Sequence, residues 1–232
     1  MKRADTSPTT PRLTLDPTPS SRRSQVLDVL RDAILDGSFG PGEHLKQDRL
    51  CTQFGLSAAP VREALRDLES EGLVTHIPRQ GVVVCDIAPG ELLGLLAPVR
   101  LAIEAFALPL AARRMDDATW QRLEGIVAEM GAPDASLARL NDLDVAFHDT
   151  AIAASGSQHS AQLWRSVLPR IRLQFRRLAP LHEDLAEIQD EHRRLLDALR
   201  TREDATIAAA LEEHILGSAR ELLEREPPSG QA

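Results

Sequence analysis

Cysteine is scarce in this chain, with only Cys51 and Cys85 among 232 residues. The two have no framework spacing, which excludes a small secreted domain built on disulfides and points to a reducing compartment. An apolar leader is lacking too: Met1-Lys2-Arg3-Ala4-Asp5 runs into Thr, Ser and Pro. That is not a signal peptide, so a cytoplasmic protein is expected. No membrane partner is expected either, because the apolar stretch Leu92 to Ala112 carries Arg100 and Glu104 mid-segment and is interrupted by Pro98 and Pro109. It reads as the buried helix of a soluble bundle. Positive charge is also short. The formal net charge is −8, which at first argues against a polyanionic partner. The deficit is uneven, however: up to Cys85 eleven Lys and Arg face eleven Asp and Glu, and beyond it sixteen face twenty-four. A local basic face in the first half can therefore still bind phosphate, with a marked dependence on salt.

What is present is enough apolar content, 43%, for one or two cores. Residues 1–20, rich in Thr, Pro and Ser without an apolar period, are expected to be a disordered tail. Arg22 to Asp36 carries Val26, Leu27, Leu30, Ile34 and Leu35 at helical spacing and is stopped by Gly37. Gln47 to Phe54 reads as a short helix closed by Gly55, a residue suited to positive φ. Ser57 then stands at an N-cap with Pro60 in the first turn, so a second helix starts near Ala58 and ends at Gly72. Val61, Leu65 and Leu68 form its packing stripe, leaving Ala59, Arg62, Arg66 and Ser70 on the other side. Val74 to Ile77 and Val82 to Cys85 are β-prone runs separated by Pro78-Arg79-Gln80-Gly81, a two-stranded wing with a basic tip. Pattern alone leaves open a small helical subdomain whose arginines are only solvated.

The motifs Gly37-Ser38-Phe39-Gly40-Pro41-Gly42-Glu43-His44-Leu45, Phe54-Gly55-Leu56-Ser57, Pro60-Val61-Arg62-Glu63-Ala64-Leu65, Glu71-Gly72-Leu73-Val74 and Arg79-Gln80-Gly81 closely resemble the winged-helix domain of GntR-family transcriptional regulators. The resemblance implies a double-stranded DNA operator contacted by Ser57, Ala58, Ala59, Arg62, Arg66, Arg79, Gln80 and Gly81. The family often has arginine and threonine where this chain has Ala58 and Ala59, and an arginine where it has Asp48. Operator preferences common in the family therefore do not transfer.

Asp86 to Gly90, with Pro89 and Gly90, marks a boundary between residues 21–86 and a helical domain, 91–226. Beyond it no strand candidate occurs. Turn signals divide the sequence into helices near 91–114, 118–130, 135–154, 158–178, 183–201 and 203–225, an antiparallel bundle with a frayed tail from Pro227 to Ala232. The expected fold class is thus mostly α: an N-terminal winged helix-turn-helix with a small β-hairpin, then an all-α bundle. Asp144 and His148, four apart, project from one helix face. His192 and His214 lie on later helices, and the four could meet at the bundle centre around a divalent ion. From spacing alone, the alternative is that the two later histidines are partly exposed and Asp144 is solvated.

Asp144-Val145-Ala146-Phe147-His148, Ala154-Ser155-Gly156, Glu191-His192 with Leu196 and Ala198-Leu199, and Glu213-His214-Ile215 look like the C-terminal ligand-binding (FCD) domain of the FadR subfamily. That resemblance implies a metal held by Asp144, His148, His192 and His214 and a small carboxylate effector on or near it; the imidazole and carboxylate ligands themselves suit Zn²⁺ first, with Ni²⁺ or Mn²⁺ as alternatives. Arg100 and Glu104 match a recurrent pair of that subfamily. Arg100 would receive the carboxylate, the alternative being a simple i,i+4 pair with Glu104. Ser157 stands where the subfamily often has asparagine. Arg170, Arg172, Arg176 and Arg177 form a basic run, mostly a solvated face, from which one side chain could reach the pocket. His44, His159 and His182 are read as surface residues, His76 as a wing residue within reach of DNA, and both cysteines as structural.

Together these readings describe a homodimeric, operator-binding regulator, more a repressor than an activator, controlled by a carboxylate beside a divalent metal, and not an enzyme. The competing classes are a metal-dependent hydrolase-like enzyme, for which no additional general base is evident, and a DNA-binding protein whose bundle only dimerises.

Overall fold

The computed structural model describes residues 21–226. The expected tails, 1–20 and Pro227–Ala232, lie outside them. The chain divides into two compact units between Asp86 and Ile87.

The first unit begins with α1 (Arg22–Leu35), whose N-terminus is capped when Ser21 Oγ accepts from the Ser24 N–H. Val26, Leu30, Ala33 and Ile34 are its buried face. It packs on α3 (Ala58–Glu71), to which α2 (Gln47–Phe54) is joined by Gly55 at φ 65°. Only the left-handed region lets the chain reverse so tightly between two helices, and glycine enters it without a Cβ clash. Val61, Ala64, Leu65 and Leu68 of α3 are buried against α1 and the sheet. Two guanidinium groups on α1 fix the pair: Arg23 on Asp67 and Arg31 on Glu71, both at 2.6 Å.

The wing differs from the expected hairpin. It is a three-stranded antiparallel sheet in the order β1-β3-β2, with β1 (His44–Leu45), β2 (Val74–Ile77) and β3 (Gly81–Val84). Pairing runs Val74 to Val84 on one side of β3 and His44 to Val83 on the other. A two-residue strand has no period to read, so β1 left no pattern in the sequence. β3 also starts and stops one residue earlier than expected, although the Cys85 N–H still bonds the Leu73 carbonyl at 2.9 Å.

In the second unit, α4 (Pro89–Glu91), a π-helical turn over Leu92–Leu96 and α5 (Ala97–Arg114) run on as one helix. Then follow α6 (Asp117–Met130), α7 (Leu137–Ala154), α8 (Gln158–Leu178) and a 3₁₀ turn at Ala179–Leu181. The last are α9 (Ala186–Thr201), α10 (Asp204–Glu212), a second π turn over Glu213–Gly217, and α11 (Ser218–Glu224). Asp116, Ser136 and Ser157 cap α6, α7 and α8 through their side chains. The six expected helices are recognisable, with no strand among the described residues of this unit. Residues 183–185 are not helical, and the sequence did not announce the π turns. Pro109 and Pro169 sit inside α5 and α8, where each removes one backbone donor without ending the helix.

α5 packs against α7, α8 and α10, and α9 against α6 and α10. Trp164 and Phe147 are the largest wholly buried side chains. The stretch Pro89–Arg114 is long and apolar enough to cross a membrane, but half of its most apolar window is buried inside this unit. Its central charges, Arg100 and Glu104, are buried there as well.

Candidate functional site

On the first unit, α3 and the wing present one face. Ser57, Ala58, Ala59, Arg62 and Arg66 are exposed, as are Arg79 and Gln80, and Gly81 is half-buried. Arg62, Arg66 and Gln80 share a groove of about 440 Å³ with Lys46, His44 and His76. Ser57, Ala58, Ala59 and Arg79 stand outside it. While Arg23 and Arg31 are taken up by carboxylates, Arg62 and Arg66 make no ion pair among the described residues. Free, forked donors on one helix face are what phosphate and guanine edges accept.

Ser57 occupies the N-cap of α3, but its side chain makes no capping bond, contrary to the expected role. Its hydroxyl and the first N–H groups of the helix are therefore open to an anion. At the wing tip the Gln80 N–H bonds the Ile77 carbonyl at 3.0 Å, and Arg79 is held at φ 68°. A non-glycine residue in that region is strained. Sequence reading missed Lys46, the residue before α2, and took His44 for an ordinary surface residue.

The second unit brings Asp144, His148, His192 and His214 together, with one donor atom of each lying within 4.8 Å of the others. Asp144, His148 and His192 are at most 3% exposed, and the His214 side chain is 7% exposed. The exposed alternative therefore does not hold. Asp144 and His148 come from α7, His192 from α9, and His214 from the π turn, where one extra residue per turn shifts the phase of the helix.

The outer nitrogen of each imidazole is oriented away from the cluster. His148 Nδ1 donates to Glu104 Oε2 at 2.5 Å, and His192 Nδ1 donates to the Ile188 carbonyl at 2.8 Å. His214 Nδ1 lies 3.3 Å from Glu191 Oε2. With Nδ1 of His148 and His192 donating, their Nε2 lone pairs turn inward, while His214 Nδ1 is buried without a hydrogen-bond partner and its Nε2 faces the same centre. His148 Nε2 and His214 Nε2 are then 3.2 Å apart, and His192 Nε2 is 3.2 Å from Asp144 Oδ1. Arg100 Nη2 serves the first pair, at 2.7 Å from His148 Nε2 and 3.5 Å from His214 Nε2, whereas the His192 lone pair faces a carboxylate oxygen, a contact that a cation would relieve. Asp144 Oδ2 and His192 Nε2 are buried with no hydrogen-bond partner. One carboxylate and three imidazoles suit a borderline divalent ion, and the orphaned atoms are those such an ion would take, so the residues fit a metal.

Arg100 closes the site. Its Nε donates to Glu104 Oε1 at 2.7 Å, and Nη2 lies 2.7 Å from His148 Nε2 and 3.8 Å from Asp144 Oδ1. Arg100 thus makes the expected i,i+4 pair with Glu104 and also stands beside the donors. Burial pushes the His148 pKa down to about 4, with Arg100 adding to the effect against the pull of Glu104. Burial also lowers His214. For Glu104 burial works the other way, but His148 and Arg100 outweigh it and hold its carboxyl at about 2. Asp144 is likewise held well below the usual carboxylate range, by Arg100 and His192 against its burial. Neutral imidazoles and ionised carboxylates are the protonation states a metal needs.

A cavity of about 50 Å³ opens at the donors, lined by Asp144, His192 and His214 themselves, by Arg100, Gln174, His182, Glu191 and Ser218, and by apolar side chains. His182 corrects the surface reading: its side chain is 6% exposed and meets Glu187 at 2.9 Å. The basic run on α8 does not enter the cavity. Arg172 pairs with Asp142 and Arg177 with Glu226, and the α8 residues that line the cavity are Gln174, Phe175 and Leu178.

Comparison with known proteins accords with this arrangement. Residues 22–84 match the model of bacterial regulatory proteins of the gntR family, and residues 96–217 match the FCD domain. The chain is 30% identical over 198 residues to the HTH-type transcriptional repressor GlaR of Escherichia coli K12, spanning 81% of this chain and 89% of the relative. It is also 30% identical over 183 residues to the gluconate operon transcriptional repressor of Bacillus licheniformis, spanning 75% and 74%. Among solved structures, a GntR transcriptional regulator from Rhodococcus sp. RHA1 superposes with a TM-score of 0.75 at 24% identity, covering 90% of this chain and all of that one. E. coli McbR/YncC superposes at 0.72 and 20%, covering 89% and 99%. The chain belongs to the GntR family of DNA-binding transcriptional regulators, with a winged helix-turn-helix followed by an FCD domain.

Proposed function

We propose that this regulator is of the FadR subfamily, and that its affinity for an operator is set by a small carboxylate bound beside a divalent metal, Zn²⁺ first, in the FCD domain. The observation that carries the reading is the inward set of ring nitrogens: three imidazoles whose outer nitrogens face a carboxylate or a carbonyl, together with an orphaned Asp144 oxygen. Asp144, His148, His192 and His214 would hold the ion, and when bound it supplies a Lewis-acid position for a carboxylate oxygen. Arg100 Nη2 stands 2.7 Å from His148 Nε2, and with the lone pair of that nitrogen engaged by an ion the guanidinium N–H groups would be free for the second carboxylate oxygen, in the forked geometry that suits them.

On the DNA side, the exposed Arg62 and Arg66 support α3 as the helix that enters the major groove. The open N-terminus at Ser57, Ala58 and Ala59 suits a backbone phosphate. Arg79, Gln80 and Gly81 of the wing would reach the minor groove. One helix reads only a few base pairs, so specific binding calls for a homodimer on a two-fold site. Leu95, Val99 and Phe106, exposed at 53, 38 and 62% on the helix Pro89–Arg114, supply apolar surface for such an interface. Effector and operator are then coupled reciprocally, each changing the other's affinity by the same factor.

The test is fluorescence anisotropy on DNA sites selected by the protein from a random pool, comparing zinc-loaded and chelated protein over a panel of small carboxylates. The reading expects at least one carboxylate to change affinity severalfold, and only in the loaded protein. If no member of the panel changes it in either state, effector control is wrong.

A further inference from the structure

Resting on the reading that α3 and the wing meet a DNA duplex, we propose that His44 and His76 grip its backbone phosphates as imidazolium ions, so that binding DNA takes up protons and tightens as the pH falls through neutrality. Both side chains line the groove of about 440 Å³ between α3 and the sheet. Both are exposed, and neither imidazole makes a hydrogen bond or an ion pair among the described residues. They come from different strands: His44 of β1 pairs with Val83 of β3, and His76 of β2 with Val82. Two strands that flank a third lie about 10 Å apart, so the histidines stand on either side of β3, at two separate points along the groove.

The charged groups that face them are mostly positive. Lys46, just before α2, and Arg62 and Arg66 of α3 line the same groove without an ion pair among the described residues. The carboxylate there is Glu69, and its Oε1 accepts the backbone N–H of His76 at 3.1 Å. Neighbouring acids are engaged elsewhere: Glu43 accepts the Gly40 N–H at 3.0 Å, Asp67 holds Arg23 and Glu71 holds Arg31. Three cations against one carboxylate make the groove an anion site before either imidazole takes a proton. It is not a second metal site, because the converging group of three or more donor atoms among the described residues lies in the other unit.

What the histidines add to this groove is dependence on pH. Lysine and arginine are charged at both ends of the physiological range, whereas imidazole is the side chain whose charge changes within it. A phosphate within hydrogen-bond reach favours the charged ring and accepts a charge-assisted hydrogen bond from it. Linkage is reciprocal: if the duplex favours the proton, the proton favours the duplex. A phosphodiester keeps its single negative charge across this range, so the proton goes to the protein. Contacts of this kind carry no base information, and they act on every sequence alike.

The experiment is fluorescence anisotropy of the full chain at about pH 8 and about pH 6, on a DNA site selected by the protein and on an unrelated duplex, for wild type, Arg62→Ala and the double variant His44→Gln/His76→Gln. Wild type is expected to bind both duplexes about tenfold more tightly at the lower pH, with a salt dependence steeper by about 0.9 for each imidazole that meets a phosphate. The double variant should match wild type at the higher pH, in affinity and in thermal midpoint, and should lose the gain at the lower one. Its metal donors and its other histidines are untouched, so a loss belongs to the groove. Arg62→Ala should bind more weakly at both and keep the ratio. An affinity that does not respond to pH, a gain that the double variant keeps, or a gain confined to the selected site would each overturn the role of the two histidines and leave α3 and the wing as the DNA face. Failure of wild type to bind either duplex at either pH overturns the reading of that face and this inference with it.

Discussion

Glu104 accepts the Nδ1 proton of His148 at 2.5 Å and so fixes the tautomer that turns Nε2 toward the other donors. Sequence reading took Glu104 as the partner of Arg100 alone, because i,i+4 spacing is visible in a sequence and a contact between α5 and α7 is not. Removing such an outer partner typically weakens metal binding by about 10–100-fold. Glu104→Gln is expected to fall in that range in a competition titration with a chelating dye, while Glu226→Gln, which pairs with Arg177 and touches none of the donors, should match wild type. The donor set itself was partly legible. Asp144 and His148 declare a shared face by their spacing, but His192 and His214 could be joined to them only through a family resemblance. Gln174 and His182 carry no pattern at all, since one amide on an amphipathic helix and one histidine in a turn look like ordinary surface chemistry. On the DNA side, Arg62→Ala is expected to cost roughly 1–3 kcal/mol of specific affinity if it reads a base. An equal loss on every DNA would make it a phosphate contact.

At the scale of elements, the helices were readable because their apolar periods and their caps agree, as at Asp116, Ser136 and Ser157. The turns that depart from regularity were not. An extra residue in a π turn leaves no compositional mark, yet the turn at Glu213–Gly217 carries His214. Pro109 counted against a membrane span but not against a helix: the expected run 91–114 passes through it, and α5 does so too. The wing offers a separable test of strain and charge. Arg79 at φ 68° pays a backbone penalty that glycine would not, of order 1 kcal/mol. Arg79→Gly should therefore raise the thermal midpoint while weakening DNA binding and flattening its salt dependence by about one phosphate contact. If affinity is unchanged with DNA of every sequence, the wing tip does not touch the duplex.

For the molecule as a whole, acidity and function are segregated, with the excess negative charge lying beyond Cys85. The division was legible from composition because charge counts need no contacts. Buried titratable groups add a pH dependence whose sign follows from His148. Its pKa is about 6.5 unfolded and about 4 folded. Between those values the unfolded chain binds a proton that the folded chain refuses, so stability is fully present above pH 6.5 and declines as pH falls through 4. Chelated protein should melt progressively lower from pH 7 to pH 4.5, and His148→Phe, which lacks the group, should show a shallower slope by thermal denaturation. Equal slopes would mean that His148 is not held neutral by burial.

The central claim is a metal site in the FCD domain, and elemental analysis of the purified protein beside His148→Ala and His192→Ala tests it most directly. Near-stoichiometric divalent metal in the wild type, lost in both folded variants, is the predicted result. A wild-type protein that carries none, and takes up none when zinc is added to it, would contradict the claim.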